Sequence, residues 1–150
     1  MPLYVNKTEI SDDQVFAEMQ FHPASSKDAA RDEAAKALLI RELLRQEALE
    51  QGFLSEGADD ETFDAGIMKL IEAEVAAPAA TDEVCRRYYD QNIARFKAGE
   101  GAELPEPFEV AKDKIKDYLH TRSIRFGIQS YLLDLAGRAK ISGFDLSASL

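Results

Sequence analysis

Residues 25–52 read SSKDAARDEAAKALLIRELLRQEALEQG, and this stretch decides the fold. Ala34, Leu38, Leu39, Leu43, Leu44 and Ala48 recur at helical spacing and form one broad apolar stripe on an otherwise charged rod. The helix opens near Ser25 and runs to Gln51, where Gly52 supplies the residue type that ends helices in a left-handed conformation. Twenty-seven residues at a rise of 1.5 Å make a rod about 40 Å long. So long a stripe needs other elements to cover it, which predicts a mainly α protein.

The flanking sequence supplies those elements. Leu3-Tyr4-Val5 is β-prone and ends at the turn signal Asn6-Lys7. Ser11-Asp12-Asp13-Gln14 has the form of a capping box, with Ile10 and Val15 placed as a hydrophobic staple. A short helix over about 12–21 should follow and stop at His22-Pro23, because the residue before proline resists the α conformation. Beyond a loop at 55–58, a third helix is predicted over about 60–76, with Phe63, Ile67, Leu70, Ile71 and Val75 facing inward. Residues 76–80 read as a linker. Thr81 caps a fourth helix reaching about Lys97, with Cys85, Tyr89, Ile93 and Phe96 on one stripe. Residues 98–107, AGEGAELPEP, form a bridge, and a last long helix spans about 108–138. The tail around Ala139-Lys140-Ile141 is β-prone again. Neither end snippet is stable alone, so a small two-stranded ribbon joining them is expected. The sum is one domain with about five helices, two of them long.

Composition excludes several functions. A chain of 150 residues can bury a core without staples. Eighteen basic against 28 acidic residues give a net charge of −10, a surface that repels phosphate backbones, so no nucleic-acid partner is expected. No apolar run approaches the roughly 18 to 20 residues needed to cross a bilayer, so no membrane partner is expected either. The start lacks the basic and apolar regions of a secretory signal, which predicts a cytoplasmic protein as written, or a periplasmic one if the chain is a trimmed piece.

Candidate chemistry is sparse. The single cysteine, Cys85, lies on an apolar stripe beside Asp82 and Glu83, which would raise a thiol's pKa, so a core role outweighs a nucleophilic one. His22 and His120 lack the paired spacing of metal ligands, and no metal is predicted. Residues 59–66, DDETFDAG, superficially suggest a calcium loop. Setting Gly66 at its sixth position puts Phe63 and Ala65 where oxygen ligands are required, and acids at a helix start are favoured by the dipole without a metal. Arg86, Arg87, Arg122 and Arg125 are expected to pair with local acids such as Asp90. No nucleophile elbow or phosphate-cradling loop is present, so no catalytic centre and no cofactor are expected.

A resemblance does carry information. Tyr4-Val5-Asn6-Lys7-Thr8-Glu9-Ile10, the run Ala37 to Ala48, Cys85-Arg86-Arg87-Tyr88-Tyr89-Asp90-Gln91-Asn92 with Ala94-Arg95-Phe96, and the end from Leu135 to Leu146 together resemble the chaperone part of the SurA/PpiC/NifM-type parvulin prolyl isomerases. The likeness covers nearly the whole chain, and the Tyr-Tyr-Asp-Gln-Asn…Arg-Phe stretch is its most specific part. It implies the SurA N-terminal-like fold. In that family a parvulin domain follows the Arg-Phe element, and here only the bridge 98–107 stands in its place. The histidine-bearing strands and glycine-rich stretch of a parvulin are missing, which implies that the isomerase domain is absent.

The expected function is therefore an ATP-independent holding chaperone whose partners are unfolded or partly folded protein clients. The alternatives are a helical dimerisation or assembly scaffold, a homodimer formed by segment exchange, and a prolyl isomerase with an unrecognised site. The candidate polypeptide-binding residues are Phe16, Met19, Phe21, Tyr88, Tyr89, Phe126 and Tyr131. Aromatic and methionine side chains suit varied apolar partners when exposed and suit a core when they are not.

Overall fold

The computed structural model describes residues 2–76, 79–97 and 104–150. In chain order the elements are strands β1 (Leu3–Val5) and β2 (Thr8–Ile10), helix α1 (Asp12–Glu18), a 3-10 turn (Met19–Phe21), α2 (Lys27–Glu50), α3 (Asp60–Glu74), α4 (Asp82–Gln91), a second 3-10 turn (Ile93–Phe96), α5 (Phe108–Arg138), β3 (Ile141–Ser142) and α6 (Leu146–Ser149). The fold is mainly α with a small antiparallel sheet. Read from sequence as one domain, the chain divides into two compact units, Met1–Val75 with Ile128–Leu150, and Ala76–Gly127.

Local chemistry accounts for the helix boundaries of the first unit. Ser11 Oγ accepts from the Gln14 amide at 3.2 Å while Gln14 Oε1 accepts from the Ser11 amide at 2.8 Å, so the capping box is complete. Ile10 and Val15, the staple pair, are both buried in one core. Ser26 caps α2 by accepting from the Ala29 amide at 3.1 Å. At the other end Gly52 takes φ +82°. The Gly52 amide then donates to Leu49 O at 3.2 Å and the Phe53 amide to Ala48 O at 2.9 Å, the paired bonds of a Schellman motif. Asp59 caps α3 by accepting from the Thr62 amide at 2.8 Å. Asp59 as cap, and Asp60 and Glu61 in the first turn, thus serve the helix start.

The sheet differs from the expected ribbon. β1 is central, with order β2-β1-β3, and pairs antiparallel on both sides. Tyr4 stands opposite Glu9 in β2 and Ser142 in β3. The two ends of the chain therefore meet, and the extra strand arises because Asn6 adopts φ +57° and turns the backbone sharply. Leu3 and Val5 face the core on alternate positions and Tyr4 faces out. Around them pack Leu39, Leu43, Leu70, Leu135 and Leu146. Fully burying each such leucine contributes about 1.5 to 3 kcal/mol. The tail closes with the short helix α6, beyond the expected five; it buries Leu146 and is capped by Asp145, which accepts from the Ala148 amide at 3.2 Å.

The second unit has a core of its own, Cys85, Tyr89, Ala111 and Ile115, with Tyr88, Phe96, Phe108 and Leu119 packed against it. Asp82 in the first turn of α4 receives Lys112 Nζ at 2.7 Å and Lys116 Nζ at 2.9 Å from α5. α4 ends at Gln91, short of the expected Lys97. The Asn92 amide forks to Tyr88 O and Tyr89 O, and its Nδ2 also donates to Tyr88 O, which closes the helix and leaves Ile93 exposed. The expected helix over 12–21 breaks similarly, into α1 and a 3-10 turn, where the His22 amide bonds Met19 O ahead of Pro23. Residues 77–78 of the expected linker and 98–103 of the expected bridge lie outside the described residues.

Candidate polypeptide-binding surface

The groove is built from a local conflict in α1. Val15 is the residue that anchors α1 to the core, and Phe16 follows it 100° further around the helix. Phe16 therefore cannot share that burial, and it is 73% exposed. Met19, one turn on, is partly buried against the first unit's core. The chain then turns at His22-Pro23 and re-enters α2 through small residues. Phe16, Ala17, Met19, Pro23, Ala24 and Ala30, with Gln20, His22, Ser26 and Lys27, line an open groove of about 550 Å³ within the first unit. His22 Nε2 sits 3.1 Å from Glu18 Oε1, one turn back on α1, and holds this wall of the groove. Its lining is mostly apolar.

The seven candidate residues do not form one surface. Phe16 and Met19 line the groove. Phe21 is 67% exposed in the same 3-10 turn as Met19 but outside the lining. Phe126 is 71% exposed on α5. Tyr88 belongs to the second unit. It packs against Phe96 and Tyr118 with ring centroids 6.2 and 5.5 Å away, and the three rings border a smaller pocket with Arg95, Lys114 and Ile115.

Tyr89 and Tyr131 are corrections. Tyr89 is 6% exposed, stacks near Phe96 and Phe108, and donates its hydroxyl to Glu106 O at 2.5 Å. Tyr131 is 9% exposed in the first unit's core. Burial pushes its phenol up to about 12, and the Glu47 and Glu74 carboxylates add to that. Its hydroxyl has no hydrogen-bond partner among the described residues. Both rings belong to cores and not to an exposed surface. Helical periodicity cannot separate these from Phe16, because it marks a stripe without saying what covers it. Pro23, Ala24 and Ala30 escaped the sequence reading; the available signal was small residues flanking a proline-terminated helix.

Of the remaining candidates, Cys85 packs in the second unit's core and Arg86 and Arg87 pair with acids of their own helix. Cys85 is fully buried. Arg86 pairs with Asp90 at 3.2 Å and lies 5.1 Å from the Phe108 ring centroid, and Arg87 pairs with Glu83 at 3.8 Å. His120 is exposed on α5. Among the described residues no three histidine, cysteine, aspartate or glutamate side chains are grouped to hold a metal, and no helix is long and apolar enough to cross a membrane. No family model matches the chain, and no curated protein or solved structure matches it either.

Proposed function

We propose that the chain is an ATP-independent holding chaperone that binds unfolded or partly folded polypeptide segments by apolar contact and releases them by mass action. The observation that carries this reading is the open groove around Phe16, Met19, Pro23 and Ala30, an apolar surface that the fold leaves uncovered within the first unit. Exposed apolar patches of this type mark interaction sites, and methionine adapts its shape to different partners. The absence of a phosphate-cradling motif in the sequence fits release without nucleotide.

Two further features agree with the resemblance to the chaperone part of SurA/PpiC/NifM-type isomerases. The amino and carboxyl segments share one sheet through β1 and β3. Where the family carries its parvulin insert, Lys97 and Pro105 pair as an antiparallel bridge, and the Glu106 amide donates to Phe96 O. Chain ends that close together can accept a short connection in place of an inserted domain at little entropic cost.

The experiment is aggregation of a chemically unfolded client followed by light scattering. Modest molar excess of the chain should delay aggregation without nucleotide, and no delay would count decisively against holding. A proline-peptide isomerisation assay should read zero in the same preparation. Turnover there would point instead to an isomerase.

A further inference from the structure

The two units differ in charge. The first holds nineteen acidic and nine basic residues, a net −10, while the second holds nine of each and is balanced. The whole excess negative charge of the chain therefore belongs to the unit that carries the groove. Around the groove the bias persists. Beside the lining stand the carboxylates of Asp13, of Glu18, 3.1 Å from the lining His22, and of Glu33, one turn after the lining Ala30, against the lining cation Lys27; Asp12, Asp32 and Arg31 line a separate pocket. All but Glu18 of those acids are exposed. Asp13 stands one turn before Phe16 on α1, and the surface positions one turn apart on a helix are neighbours.

We infer that the groove takes apolar segments flanked by lysine or arginine, and discriminates against the same segments flanked by acids. The inference rests on the holding reading and adds a client class to it. Two forces act at different ranges. The apolar lining supplies short-range contact that is indifferent to charge. The acidic surround acts over about 8 to 10 Å at ordinary ionic strength, drawing in cationic flanks and repelling anionic ones. Lys27, itself in the lining, opposes this field locally without reversing it.

The test is fluorescence anisotropy of the full chain with three labelled peptides. One has a leucine- and phenylalanine-rich centre with lysine flanks, one has the same centre with glutamate flanks, and one has a serine centre with lysine flanks. The first should bind about tenfold tighter than the second at low salt, and about half a molar salt should largely erase the gap. The third should bind about tenfold more weakly than the first, because charge without apolar contact is insufficient. Phe16→Ser, an exposed position whose change leaves the core intact, should weaken the first peptide several-fold. The double change Asp13→Asn with Glu33→Gln should narrow the preference between the first two. Equal binding of the first two peptides overturns the inference, as does serine-centred binding as tight as the first, or indifference to Phe16→Ser. Delayed client aggregation without a flank preference would overturn this inference alone; absence of both would overturn the holding reading with it.

Discussion

Asn6 and Lys140, 134 positions apart, exchange a reciprocal pair of hydrogen bonds. The Asn6 amide donates to Lys140 O at 2.7 Å, and the Lys140 amide donates to Asn6 Oδ1 at 3.0 Å. Asn6 Nδ2 also donates to Gln46 Oε1 at 2.7 Å, while Gln46 Nε2 reaches Val5 O and Thr8 Oγ1 at 3.2 and 3.3 Å. One asparagine thus ties the first hairpin, the C-terminal part of α2 and the segment entering β3.

Asn6 serves twice, through its left-handed backbone and through its side chain. Asn6→Ala should lose about 2 kcal/mol, combining roughly 1 kcal/mol for forcing alanine into a left-handed conformation with roughly 1 kcal/mol of lost hydrogen bonding. Asn6→Gly keeps the backbone at ease and should lose only about half of that. Urea denaturation of the two variants separates the contributions. Equal losses would mean the backbone conformation is not strained.

Gly66 and Gly137 make a matched contrast inside helices. A β-carbon at Gly66 would stand 2.6 Å from Phe53 O and 3.3 Å from Leu54 Cδ1, whereas one at Gly137 would meet nothing within 4 Å. Gly66→Ala should destabilise by about 1 to 3 kcal/mol through overpacking, despite alanine's higher helix propensity. Gly137→Ala should stabilise by up to about 1 kcal/mol. Thermal melts of both variants should shift in opposite directions.

Glu42 sets an acid limit on stability. Burial works against its charge, but the hydrogen bonds from Arg45 and Gln46, the Arg45 charge, and the Thr8 hydroxyl outweigh this and hold its carboxyl below the ordinary glutamate value. Arg45 grips it at 2.8 and 2.7 Å through two nitrogens. A lowered folded pKa gives stability that is fully present above the unfolded value, about 4.3, and is lost as pH falls through the folded one. Glu42→Gln should flatten the acid limb of stability against pH in that window. At pH 7 it should lose about 1 to 2 kcal/mol with the charge-assisted pair. An unchanged acid limb in the variant would remove Glu42 from the account.

Tyr131→Phe should be neutral or stabilising by up to about 1 kcal/mol, because the hydroxyl is buried without a partner among the described residues. A loss above about 1 kcal/mol in denaturant titration would reveal a bond that this reading lacks.

Much of this architecture was legible because its signals are local. Ser11 and Gln14 cap each other within four residues, Gly52 ends α2 by its own backbone freedom, and α5 falls on the expected 108–138. The meeting of the two ends was readable from two β-prone segments that cannot stand alone. What escaped depends on pairing and packing that hydrophobic periodicity does not carry. β2 exists because Asn6 turns the chain back on β1, and three residues carry too little periodicity to announce a strand. The role of Gly66 depends on where Phe53 and Leu54 pass. In the candidate surface, Phe16 and Tyr89 look alike as aromatic residues on helices, and only the surrounding packing makes one a groove wall and the other core.

The central claim is that clients are held at the groove formed by α1, the turn after it and the start of α2. Amide hydrogen exchange of the chain, with and without an unfolded client, tests it position by position. Exchange should slow over residues 16–30 on client binding and stay unchanged in α3. Client binding with no protection over 16–30, or with protection confined to other segments, would contradict the account.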